Sequence, residues 1–348
     1  MKKFLFVIVS AAALLAFFSC ASETRAEAAA DHRPSGRIVI YTSIYTDVIE
    51  SLDWALQRQF PNVRVDFVYG GTGHIQSRVA AEIAAGRLGA DLLLIADPSY
   101  SLQLKRQGIL HPFASRSASM LAFDFDPSGY WYPVRVSNMV LAFNPLLHDR
   151  NSIPNSFYDF ANDPSLRGEI SMSNPLTSGT AKAAITALLD RYGYRFFEAL
   201  GRQDIAIESG AVALSKLESG ERKVVMVLEE SVLRKRQEEM SRLEVIFPAD
   251  GTIIIPSTIM VVSERWSANR NTGTAEIIAD WFLSPEGQSA IVDGWMHSVR
   301  KNFRRIPFDS IPINHIQANS MPFNWENSFR QREEILTAFE ELVVHGRR

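Results

Sequence analysis

The sequence predicts an α/β protein of two lobes, each a mainly parallel sheet flanked by helices, joined by two crossover strands. Three observations predict it. Apolar runs of strand length alternate with runs of helical period along the chain. Most strand runs are apolar throughout, which is the pattern of strands covered on both faces. The chain has 348 residues, too many for one ordinary core and suited to two.

In order, Arg37 to Tyr41 reads as a strand ending in Thr42-Ser43. A helical pattern follows through Val48, Ile49, Leu52 and Leu56 to Phe60-Pro61. Val63 to Val68 alternates as a strand and breaks at Gly70-Gly71-Thr72-Gly73, before an Ala-rich helix over 75–85. Asp91 to Ala96 is a strand, and Tyr100 to Gln107 a helix stopped by Gly108. The extended run Tyr130 to Asn144 contains Pro133, which predicts an edge or crossover strand. A second α/β set begins with a strand over 169–172 and a helix opened by Thr177-Ser178-Gly179-Thr180. Helical runs over 194–200 and 212–217 lead to the apolar strand Val224 to Leu228. Ile253 to Val262 is a second crossover, Asp250-Gly251 before it a turn. Helices over 275–282 and 285–295 follow, and a charged helix over 325–344 closes the chain.

The expected division is a signal peptide over 1–19 and a flexible tether over 20–36. Lobe one is expected over 37–135 plus 256–300, and lobe two over 136–255 plus 301–348.

Composition excludes several classes. Hydrophobic residues are 46% and charged residues 22%, which rules out disorder as the main state. The net charge of −3 gives no basic excess to drive nucleic-acid binding. A single cysteine excludes an internal disulfide or a multi-cysteine metal cage.

That cysteine has a telling place. Lys2 and Lys3 precede an apolar run, Phe4 to Phe18, too short for a confident membrane span. Cys20 ends it, in a setting that resembles the lipobox of bacterial lipoproteins, with Phe17 where Leu is usual. The expectation is an exported chain, in the periplasm or on the outer membrane face, anchored through acylated Cys20. The plainer reading is an ordinary residue in a cleaved peptide. Losing residues 1–19 with their two lysines leaves a net charge of −5.

Three loops place hydroxyls and glycines at helix starts: Thr42, Ser43 and Tyr45; Gly71 and Thr72; and Thr177, Ser178, Gly179 and Thr180. A helix N-terminus has unpaired N–H groups and partial positive charge. Glycine lets an anion approach, and Ser or Thr adds donors. Taken one at a time, each loop is more simply read as an N-cap. Such loops in both lobes favour a cleft with donors on both walls, because α/β ligands sit at the carboxyl ends of strands. Gly210, heading the helical run after it, joins the candidates.

Glu229 and Glu230 directly follow a strand and are expected to accept hydrogen bonds from ligand hydroxyls, or else to start the next helix in solvent. Asp97 either faces the ligand or caps its helix. Arg135, in the first crossover, pairs with an anion across the cleft or with a structural carboxylate. Catalytic patterns are missing. The seven histidines show no metal-ligand spacing, and no Gly-x-Ser-x-Gly elbow occurs. No enzyme, metal or cofactor is expected.

These residues together resemble the bacterial extracellular solute-binding proteins of ABC importers, in the branch of ferric-ion, sugar-phosphate and phosphonate binders. The resemblance covers roughly residues 37–345. It rests on Ile38-Val-Ile-Tyr-Thr-Ser43, Ala90-Asp91-Leu-Leu-Leu, Gly108-Ile-Leu-His-Pro-Phe and Asn174-Pro175-Leu-Thr-Ser178-Gly179-Thr180. It rests also on Pro248-Ala-Asp250-Gly251-Thr-Ile-Ile-Ile-Pro256-Ser257 and Phe282-Leu-Ser284-Pro285-Glu-Gly287-Gln.

What the resemblance implies is a two-lobed type II periplasmic-binding-protein clamp that delivers its ligand to a membrane permease. It implies a monomer binding a small anionic solute, with a phosphorylated sugar or similar organophosphate favoured. Ferric members carry a tyrosine pair where this chain has Glu230 and Ser231, and a histidine where it has Tyr45. Ferric binding remains the alternative, with Tyr130 and Tyr132 as the remaining phenols. A second alternative is a sensor partner of a membrane histidine kinase.

Overall fold

The computed structural model describes residues 33–346. The expected signal peptide and Cys20 lie outside the described residues. Lobe one opens with β1 (Gly36–Thr42), α1 (Thr46–Gln59), β2 (Val63–Tyr69), α2 (Thr72–Ala84), β3 (Leu92–Ile95) and α3 (Pro98–Arg106). Helix α1 forms because Val48, Leu52 and Leu56 repeat every four residues, making one buried stripe. Strands β2 and β3 pair in parallel on either side of β1, the arrangement that two strand–helix–strand units give.

The chain then passes β4 (Leu110–His111) and enters β5 (Tyr132–Phe143), every residue of which is buried. Lobe two follows as α4 (Phe157–Asn162), β6 (Ile170–Ser173), α5 (Gly179–Tyr192), α6 (Tyr194–Arg202), β7 (Ala206–Glu208), α7 (Gly210–Ser219), β8 (Val224–Leu228), α8 (Glu229–Glu238) and β9 (Glu244–Ile246). Strand β10 (Ile253–Val262) returns, and α9 (Thr272–Leu283) and α10 (Pro285–Asp293) complete lobe one. The tail holds α11 (Ile313–Ala318), α12 (Trp325–Arg330), α13 (Arg332–Phe339) and a π-helical turn, Glu340–Val344.

The strands hydrogen-bond in the order β2-β1-β3-β10-β5-β8-β6-β7, with β4 on β10 and β9 on β5. Strands β6, β7 and β8 are parallel, like β1 to β3. Strands β5 and β10 are antiparallel to each other and serve both halves. Each half buries both sheet faces. In the first, Ile38, Ile40, Leu52 and Phe282 fill one side and Val39, Tyr41, Leu93 and Leu104 the other. In the second, Leu141, Phe157, Leu188 and Phe197 oppose Val140, Leu217, Val225 and Val232. Each fully buried Leu or Phe contributes roughly 1.5–3 kcal/mol.

Strand β5 is a crossover but not an edge. Pro133 fits at its start, facing Thr258 where the β10 register shifts. Asp250 does more than turn the chain: its carboxylate accepts from the Phe157 and Tyr158 amides (3.1 and 3.0 Å) and the Tyr192 hydroxyl (2.6 Å). The expected single helix over 325–344 is broken at Gln331. Its parts answer to different lobes. Phe339 packs edge-on against Phe197 in lobe two, while Arg106 of α3 covers the Phe329 ring at 4.6 Å.

Candidate functional site

The carboxyl ends of β1, β2, β3, β6, β7 and β8 converge on one cavity of about 770 Å³ between the lobes. That is within the usual size range for a small-molecule site. Ser43, Tyr45, Gly71, Thr72 and Arg135 line it from the side of lobe one and the first crossover. Thr177, Ser178, Gly179, Thr180 and Gly210 line it from lobe two.

Among the helices that begin at this cavity are α2, α5 and α7. At α5, Ser178 Oγ accepts from the Ala181 amide (3.2 Å), so it does cap the helix. The Gly179 and Thr180 amides have no acceptor among the described residues. At α7, Ser209 Oγ caps Val212 (3.3 Å), leaving the Gly210 and Ala211 amides in the same condition. At α2, Gly71 supplies no side-chain cap. All three ends bring partial positive charge to one space.

Arg135 adds a full charge. It is 2% exposed, lines the cavity, and its Nε has no partner. Its Nη1 meets Ser137 Oγ (3.3 Å) and Met296 Sδ (2.8 Å). Ser43 Oγ is likewise buried and unpartnered in the wall. A buried donor left unpaired costs about 1–3 kcal/mol, which an incoming acceptor relieves.

Four candidates do not line the cavity. Thr42 turns back, its Oγ1 accepting from the Ile44 amide (3.1 Å). Asp97 neither faces the ligand space nor caps α3 with its side chain; it accepts from Lys182 Nζ (2.5 Å), Gln76 Nε2 (2.8 Å) and Ser99 Oγ. Burial pushes the Asp97 carboxyl up, but the Lys182 charge and these hydrogen bonds outweigh it and hold it below the ordinary carboxylate value.

Glu229 and Glu230 are buried beneath the cavity rather than presented to it. Glu229 accepts from Asn138 (2.7 Å) and Ser310, and Glu230 accepts from Ser137 (2.6 Å). Helix α8 starts at Glu229 itself, so both side chains are carried onto β5. Burial pushes Glu230 up, with Arg135 and Ser137 pulling back. Glu229, His297 and Ser310 meet, but Glu229 and Ser310 approach the same ring nitrogen, Nε2, at 3.1 and 3.2 Å. A nucleophile relay uses opposite nitrogens.

Tyr45 spans the cleft, its hydroxyl 2.5 Å from Ser231 Oγ, and Arg234 lies over its ring. Burial, then the Glu230 charge, push this phenol up to about 12. Tyr130 and Tyr132 are elsewhere: Lys105 lies over the Tyr130 ring, and Tyr132 donates to the Phe113 carbonyl (2.7 Å).

Sequence reasoning missed Glu208, which also lines the cavity. Its Oε1 holds Lys216 (2.6 Å), while its buried Oε2 has no partner. The three-residue strand that carries it is too short to show a period. Asn174, Ser209, His74 and Arg234 also line the site.

The family model for bacterial extracellular solute-binding proteins matches residues 89–306. The chain belongs to that family. Its members are the extracellular binding components of ABC importers, so the family implies export, a bound solute and a permease partner. An uncharacterized protein of Haemophilus influenzae is 24% identical over 267 residues, covering 73% of this chain and 74% of that protein. Among solved structures, the periplasmic binding protein AfuA of Actinobacillus pleuropneumoniae, with fructose-6-phosphate bound, superposes with a TM-score of 0.76. It is 21% identical and covers 89% of this chain and 99% of its own. Iron-bound HitA of Pseudomonas aeruginosa has a TM-score of 0.75 at 19% identity, covering 88% and 99%. This likeness fixes the type II, two-lobed clamp expected from the sequence. Among the described residues no helix is long and apolar enough to cross a membrane.

Proposed function

We propose that this solute-binding protein captures a small organic anion, with a phosphorylated sugar or similar organophosphate favoured, and presents it to its permease. The carrying observation is Arg135: a buried cation with a free Nε in the wall of a cavity where helices α2, α5 and α7 begin. In this reading Arg135 Nε, Ser43 and the amides of Gly179, Thr180, Gly210 and Ala211 hold the anion. Donors already fixed in place need no reordering when the ligand arrives. Glu208 Oε2 takes the role first expected of Glu229 or Glu230 and accepts from a sugar hydroxyl.

The AfuA likeness supports this choice. Ferric binding has less support, because Glu230 and Ser231 stand where the resemblance places the tyrosine pair. The protein binds and releases without breaking bonds. It works as a monomer, and acylated Cys20 holds it at the membrane.

Thermal unfolding with a metabolite panel tests the reading. Sugar monophosphates are expected to raise the melting temperature, by mass action on the folded state, and ferric citrate is not. Stabilisation by ferric citrate alone overturns it.

A further inference from the structure

Beneath the cavity, one stretch of sheet brings a buried cation and a buried carboxylate together. Strands β5 and β8 run antiparallel, with Met139 opposite Leu228. The residues beyond keep step: Asn138 donates to Glu229 (2.7 Å) and Ser137 to Glu230 (2.6 Å). Arg135, two residues on from Ser137 and so on the same strand face, brings Nη1 to 3.6 Å from Glu230 Oε1. Arg135 and Glu230 are each 2% exposed. The same guanidinium belongs to the cavity wall, and its Nε has no partner.

We propose that capture of the anion is coupled to a proton: an anion that takes Arg135 draws a proton from solvent onto the Glu230 carboxyl. The coupling rests on the anion reading of the cleft and adds a second, smaller ligand to it.

Charge balance carries the argument. Without an anion, one guanidinium offsets one carboxylate. A bound anion brings a second negative charge to the same guanidinium, in surroundings stripped of water, where each like charge disfavours the other's ionisation. A proton on Glu230 removes that conflict and leaves the whole Arg135 charge to the anion. Burial already pushes the Glu230 carboxyl up, with Arg135 and Ser137 pulling back and Glu229 adding to the push. The neighbouring groups are otherwise engaged. Glu229 has Asn138, Ser310 and His297 about it. Tyr45, facing the pair from the loop before α1, stays a neutral phenol until pH nears about 12. Arg234, further along α8, spends Nη1 on Asp47 (2.9 Å). By linkage, anion and proton tighten each other's binding by the same factor. Through Glu230, capture is strongest in acid and weakens as pH rises and its carboxyl loses the proton.

The test is isothermal titration calorimetry with fructose 6-phosphate and with inorganic phosphate, from about pH 5 to about pH 10, in buffers of differing ionisation enthalpy. Wild type is expected to take up as much as about one proton per anion beyond what Glu230→Gln takes up at the same pH. Protonation of the phosphate itself is common to both proteins and cancels. In Glu230→Gln, whose amide oxygen can still accept from Ser137, alkaline binding is expected to be at least about tenfold tighter than in wild type, the equivalent of one pKa unit. Infrared difference spectra of wild type are expected to gain a protonated-carboxyl band on binding, which Ser137→Ala shifts. That arm holds even where Glu230→Gln does not fold. Equal proton uptake by wild type and Glu230→Gln, alkaline binding no tighter in that variant, or a band that Ser137→Ala leaves in place overturns the coupling. Uptake by His74 or Glu208, which line the cavity, survives Glu230→Gln and counts among these failures. Binding without proton uptake defeats the coupling alone; if neither phosphate binds, the anion reading falls and the coupling with it.

Discussion

Arg135 Nη1 lies 3.6 Å from Glu230 Oε1 at the base of the cleft, both side chains buried. The distance is too long for a hydrogen bond, and Glu230 spends its hydrogen bond on Ser137 instead. The carboxylate therefore offsets the cost of burying the guanidinium without occupying its donors. That leaves Nε for a ligand.

Replacing Arg135 removes a fully buried cation of the wall whose Nε has no partner. In Arg135→Met, affinity for whichever sugar phosphate stabilises the wild type is expected to fall roughly 10–100-fold, the worth of a hydrogen bond to a charged group. Isothermal titration calorimetry reads this. Unchanged affinity removes Arg135 from the site.

Gly179 lets the lobes touch. A Cβ there would sit 2.6 Å from Thr72 Cγ2 and 2.8 Å from the Ala96 carbonyl. Gly179→Ala is expected to hold the cleft ajar and weaken binding about tenfold or more, since a fractionally populated closed state lowers apparent affinity in proportion. The melting temperature of the ligand-free protein should hold or rise slightly, because Ala is the better helix former. Tight binding with a closed scattering profile contradicts it.

Asp250 ties β10 to α4 and α5 through three donors. Asp250→Ala is expected to cost about 1–3 kcal/mol, the penalty for stranded partners, visible as a lower denaturant midpoint. An unchanged midpoint means water replaces the carboxylate.

Alkaline pH should loosen the fold. Burial, helped by Glu82 for Tyr41, Glu230 for Tyr45 and Asp250 for Tyr192, pushes these phenols up to about 12. Unfolded tyrosine titrates near 10, so the folded state holds these protons more tightly (~10 from model peptides). Their stabilisation is complete below pH ~10 and disappears as pH climbs towards about 12. Denaturant midpoints followed with tyrosinate absorbance report it. Tyr45→Phe should make the fall shallower; a slope identical to wild type contradicts its share.

Much of this was legible before any coordinates. Val224–Leu228 and Ile253–Val262 have the bounds that their apolar runs gave. Ser43, Thr72 and Ser178 share one cavity because strand ends in parallel sheets must. Glu229, Glu230 and Asp97 show the limit. Chain position puts them at strand ends, but only the packed helix decides which way a side chain leaves. Lys182, deciding for Asp97, lies 85 residues away, and no local pattern links them. Glu208 stayed hidden for the opposite reason, since three residues carry no period.

Native mass spectrometry of the protein purified without denaturation tests the central claim most directly. The account predicts a co-purified organic anion, its mass fitting a phosphorylated sugar or close relative, lost in Arg135→Met. A bound ferric ion, or a neutral or cationic solute retained by that variant, would contradict it.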